Sequence, residues 1–87
     1  MKNIRLDSGL NLKVKDNALD NMELLDDLVE LDEGNGYAIS RVLSRLVEPE
    51  EKKKLYEHLR VDGVTPVSAV VKAMKEIFDK LGEQGKN

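Results

Sequence analysis

The sequence predicts an α+β domain that is mostly α, with an N-terminal β-hairpin followed by about four helices. Three observations carry this. Residues 3–15 alternate apolar and polar side chains on either side of Asp7-Ser8-Gly9. Four later segments repeat apolar residues at helical spacing. Breaks containing Gly or Pro separate those segments. At 87 residues the chain fits a single domain, 1–87, with no linker long enough to divide it.

In the hairpin, Ile4 and Leu6 alternate with Asn3, Arg5 and Asp7, and Leu10, Leu12 and Val14 alternate with Asn11, Lys13 and Lys15. Strict alternation puts one apolar and one polar face on each strand. Gly9 supplies the backbone freedom of the turn. Two strands alone are marginal, so the apolar face is expected to cover helices.

Helix 1 is predicted over 21–31, with Asp20 as N-cap and Glu23 completing a capping box. Its apolar stripe is Leu24, Leu25, Leu28 and Leu31, widened by Val29. Asp20 to Glu33 holds seven acids and no base, which reads as a solvated face or an acidic docking surface. The Gly34-Asn35-Gly36 break leads to helix 2, 37–47, with Ile39, Val42, Leu43 and Leu46 in register and Arg41 and Arg45 on a neighbouring face.

Pro49 opens helix 3, 49–60, which ends at Asp62-Gly63. Its inward residues are Leu55, Tyr56 and Leu59. Thr65 is expected to cap helix 4, 66–82, whose pattern is the most regular in the chain: Val67, Val70, Val71, Met74, Ile77, Phe78 and Leu81. Residues 83–87 read as a frayed tail.

Aromatic residues are confined to Tyr37, Tyr56 and Phe78, so the core is expected to be aliphatic. Without cysteine, neither disulfides nor thiolate metal sites are available. No apolar run approaches the ~18 residues that span a bilayer, and residues 1–5 lack the apolar stretch of a signal peptide, so the chain is expected to be intracellular, unprocessed and free of membrane. A net charge of −3 and the lack of an aromatic stacking platform make nucleic acid an unlikely partner.

The sequence carries few patterns that chemistry could use. Gly34-Asn35-Gly36-Tyr37 resembles the middle of a calcium-binding loop, but with Gly36 as its central glycine the first and last ligand positions fall on Leu31 and Val42, which cannot ligate. The same glycines lack the third member of a dinucleotide fingerprint and follow no strand. His58, the single histidine, has no nucleophile or orienting acid near it in sequence. The chain is therefore read as no enzyme, with no catalytic, cofactor-binding or metal-ligating residue.

The basic run Lys52-Lys53-Lys54 spreads around helix 3 and reads chiefly as a solvated face pairing with nearby glutamates. Residues 41–60 nevertheless carry six bases against four acids. Copies could therefore stack with the acidic helix 1 of one on the basic helices of the next. Candidate protein–protein contacts are Asp26, Asp27 and Glu30 on helix 1, Arg41, Arg45 and Lys53 on helices 2 and 3, and Ile4, Leu6, Leu12 and Val14 in the hairpin, whose strand edges are open to pairing.

One set of segments is familiar together: Asp20-Asn21-Met22-Glu23-Leu24-Leu25-Asp26-Asp27-Leu28, then Leu55-Tyr56-Glu57-His58-Leu59-Arg60, then Thr65-Pro66-Val67-Ser68-Ala69-Val70. With the hairpin ahead of it, nearly the whole chain resembles small tail assembly chaperones of long-tailed bacteriophages and prophages of Gram-positive bacteria. The resemblance rests on packing and capping patterns, not on chemical signatures. It implies a protein of the bacterial host cytoplasm, absent from the mature virion, that oligomerises as a ring or filament and coats the tape measure protein. It also implies a longer product made by ribosomal frameshifting near the end of the gene, with Gly85-Lys86-Asn87 encoded by a slippery run of G and A. Two other readings stand beside it: a structural or adaptor subunit of a phage or bacterial assembly, and a small regulator binding nucleic acid through Arg41, Arg45 and Lys52–Lys54.

Overall fold

A computed structural model describes the backbone of residues 1–84 and the side chains of residues 1–82. The α+β, mostly α architecture is as expected. Strands β1 (Lys2–Arg5) and β2 (Asn11–Val14) precede helices α1 (Met22–Asp32), α2 (Ala38–Leu46), α3 (Pro49–Leu59) and α4 (Val67–Gln84). Helix α4 thus takes in two residues assigned to the tail, and 85–87 lie outside the described residues.

The strands pair antiparallel, Ile4 opposite Leu12 and Lys2 opposite Val14. Between them Gly9 N–H donates to Leu6 O (2.8 Å) and Leu6 N–H to Leu10 O (2.8 Å). Gly9 takes φ +99°, the left-handed residue of a turn-plus-bulge connection. The apolar face of the hairpin is buried: Ile4, Leu6, Leu12 and Val14 join Leu43, Leu46, Leu55 and Ile77 in one aliphatic core.

Both edges of the hairpin meet helices. On β2, Lys13 N–H donates to Glu51 Oε1 of α3 (2.7 Å). Just past its end, Lys15 N–H donates to Leu46 O of α2 (2.9 Å). On the β1 side, Lys80 of α4 donates to Arg5 O, and Asp7 N–H to Glu76. Hydrogen-bonded pairs alternate along an antiparallel ladder, so the backbone groups of Asn3 face the open side of β1. With the Arg5 N–H, which the same alternation turns outward, they are what β1 leaves to a neighbouring strand.

The N-cap of α1 is Asn21, not Asp20: its Oδ1 accepts from Glu23 N–H (2.9 Å) and Leu24 N–H (3.3 Å). Either residue type caps well, and the one-residue shift follows from which carboxyl or amide reaches back over the first turn. Asn21→Ala is expected to destabilise the fold by about 1 kcal/mol in a urea titration.

Helix α2 begins after an Asn35 turn, with Tyr37 N–H donating to Asn35 Oδ1 (3.2 Å). At the other break, Asp62 (φ +49°) and Gly63 (φ +82°) form a tight turn between the bridged Val61 and Val64. The Thr65 hydroxyl donates to Tyr56 O (2.9 Å) and ties the start of α4 to α3, while its oxygen keeps the acceptor capacity that capping uses.

Candidate protein-binding surface

The acidic helix and the basic helix meet within one chain. Asp27, one turn below Leu24 on α1, is buried against α2. Its carboxylate takes Arg41 Nε and Arg45 Nε, each at 3.1 Å, and Arg41 also pairs with Glu30. The i, i+4 spacing of the arginines places both on the α2 face toward α1. The Arg45 hydrogen bond holds the Asp27 carboxyl below its usual range; burial opposes this, and the Arg41 hydrogen bond reinforces it. Glu51 is likewise depressed, first by the Lys13 amide and then, against its burial, by Lys54.

Of the ten candidate contact residues, four hairpin side chains are core and Asp27, Glu30, Arg41 and Arg45 form this clamp. Asp26 and Lys53 are exposed.

The clamp fixes the rotation of α1 and so decides which of its residues face out. Leu24 is buried and Leu28 and Leu31 are half-buried, as the sequence pattern predicts. Leu25 and Val29 belong to that predicted stripe but stand apart from it, 51% and 50% exposed, with Met22 at 61%. Met22, Leu25 and Val29 sit at i, i+3 and i+7, a second apolar stripe with no home in the core. Beside it runs a groove of about 460 Å³, where Leu19, Met22, Leu25 and Leu28 face Phe78 of α4. Exposed Asp26 flanks the stripe beside Met22, exposed Asp32 falls between Leu25 and Leu28, and Asp20 lines the groove; none of the three takes part in a salt bridge among the described residues. Sequence reasoning missed this surface by merging two stripes into one. The signal was present: a helix with apolar residues on so wide an arc must leave part of it uncovered unless it is surrounded.

Two other hollows open on the surface. Tyr37 and Val67, 88% and 66% exposed, rim a hollow of about 310 Å³ floored by Ile39, Tyr56 and Val70. Val67 was expected in the core, but as the first residue of α4 it lies outside it. A wider groove of about 660 Å³ along α2 and α3 presents Lys15, Lys52, Lys53 and Arg60, with Glu48 and Glu57 among them. Lys52 is committed there, its ammonium donating to Ser40 Oγ (2.7 Å), Ser44 Oγ (2.9 Å) and Ser40 O (3.1 Å). A groove of mixed sign with its central lysine engaged is poorly suited to a phosphate backbone.

Ser8 Oγ and His58 Nε2 lie 2.9 Å apart, a pairing of hairpin turn and α3 that the sequence did not suggest. Both are exposed, and no hydrogen bond among the described residues joins His58 to a carboxylate. The pair lacks the third group that orients a catalytic imidazole.

No protein-family model, curated protein or solved structure matches the chain. No helix among the described residues is long and apolar enough to cross a membrane.

Proposed function

We propose that the protein is a phage tail assembly chaperone that oligomerises and binds the tape measure protein during tail morphogenesis. It works in the cytoplasm of the bacterial host, stays out of the mature virion, and acts by binding without catalysis. The observation that carries this reading is the uncovered stripe Met22, Leu25 and Val29 with its groove against Phe78. A holding chaperone needs apolar surface that a client can cover, and a domain of this size gains little by leaving such surface in water. The resemblance described above selects the client.

Co-expression with the tape measure protein encoded nearby, followed by co-purification, tests the proposal. The expected result is that the tape measure protein becomes soluble and elutes with this chain as a large complex. Mass spectrometry of purified virions then separates a chaperone from a retained structural subunit, since the chaperone is expected to be missing. A tape measure protein that stays insoluble, both with this chain and with any frameshifted longer product, contradicts the proposal.

A further inference from the structure

We infer that the α1–α4 groove takes an amphipathic helix of another polypeptide, with lysines or arginines along the edge that lies against α1. This deepens the chaperone reading, on which it rests, by naming the chemistry of the segment bound. The geometry is that of a helix-in-groove site. The floor is Leu24, Leu28 and Phe78, and the walls are Leu19, Met22 and Leu25. Val29 extends the apolar line along α1, so the stripe from Met22 to Val29 covers about two turns. A partner helix presenting apolar residues at i, i+3 or i+4, and i+7 matches that length and spacing.

Charge complementarity selects the flank. Measured around the α1 axis at about 100° per residue, exposed Asp26 adjoins Met22 on the side away from α4 and exposed Asp32 falls between Leu25 and Leu28, while Asp20 lines the groove itself. The acids that face α2 are neutralised by arginine, whereas these are not paired among the described residues. The α1 rim of the groove is therefore negative. On α4, outward of Phe78, Lys75 and Asp79 are both exposed at i, i+4, so that side carries no net charge. A helix with basic residues on one flank only, next to its apolar stripe, meets both rims with opposite or neutral charge. An acidic flank against α1 meets like charge, which disfavours a wrong partner.

Fluorescence anisotropy with synthetic peptides tests this on the intact chain. The probe is a helical peptide of about four turns with a leucine stripe and lysines along one flank. The control carries glutamates in place of the lysines. Binding of the lysine peptide is expected at low salt, with the glutamate peptide weaker by about tenfold or more. Leu25→Ser with Val29→Ser is expected to abolish binding without changing net charge. Asp26→Asn with Asp32→Asn is expected to weaken the lysine peptide alone and to flatten its salt dependence. These positions are exposed, and thermal melts of both variants check that the fold persists. Equal binding of the two peptides, or wild-type binding by the serine variant, overturns the inference.

The outcome is separable from that of co-purification. A failed peptide test beside a co-eluting tape measure protein removes the basic-helix assignment and keeps the chaperone. A positive peptide test without tape measure capture keeps the groove and removes the client.

Discussion

Replacing Leu12 with alanine is expected to cost about 2–5 kcal/mol, a large share of a total stability on the order of 5–10 kcal/mol. Leu12 is fully buried on the inner face of β2, among side chains from the hairpin and the helices. Truncation removes the transfer free energy of the deleted carbons and leaves a cavity that surrounding aliphatic residues only partly fill. A urea titration should show the midpoint falling by more than about 1 M with little change in slope. Leu25→Ala, on the exposed stripe of α1, is the matched control and is expected to stay within about 1 kcal/mol of wild type. An unchanged midpoint for Leu12→Ala, with a change in oligomer size instead, would place the inner face of the hairpin at an interface and not in the core.

The second large effect is expected at Asp27. Asp27→Asn removes the charge that two guanidiniums share, and leaves Arg41 and Arg45 repelling one another across the α1–α2 seam. Its melting temperature should fall further than that of Glu30→Gln, because Glu30 pairs with one arginine where Asp27 pairs with two, and is half exposed. The effect depends on pH with a definite sign. The folded-state pKa of Asp27 is depressed, so its contribution is fully present above the unfolded value near 3.8 and disappears as pH falls through the folded value. Glu51 contributes in the same sense from its value near 4.5. Wild type and Asp27→Asn should therefore differ clearly at neutral pH and converge in strong acid.

Lys80 has the opposite sign. Burial alone would depress its ammonium, but hydrogen bonds to Asp7 and Glu76 hold it raised. Its contribution is fully present below the unfolded value near 10.5 and is lost as pH rises through the folded one. Thermal melts of the variant and wild type from acid to neutral pH measure the first of these windows. Parallel curves throughout would contradict the Asp27 assignment.

Local chemistry made most of the fold legible. Alternation marks the hairpin, Gly9 its turn, Pro49 the start of α3, and the repeat from Val70 to Leu81 the buried face of α4. Residues whose role depends on the rotation of a helix were not legible. Leu25 and Leu28 look equivalent in a periodic pattern, and only the Asp27 clamp separates the outward one from the inward one. The seven acids from Asp20 to Glu33 likewise read as one face. In the folded chain Asp27 and Glu30 pair with arginines toward α2, whereas Asp26 and Asp32 border the apolar stripe with no salt bridge among the described residues. Thr65 shows the same limit at smaller scale, since its hydroxyl donates to a carbonyl of α3, a partner that no local pattern names.

Hydrogen–deuterium exchange on the complex with the tape measure protein tests the central claim most directly. Amide protection is expected to rise along α1 from Met22 to Asp32 and around Phe78 on α4, with little change along α3. Protection confined to α3 and the basic groove beside it, with α1 exchanging as in the free protein, would contradict the account.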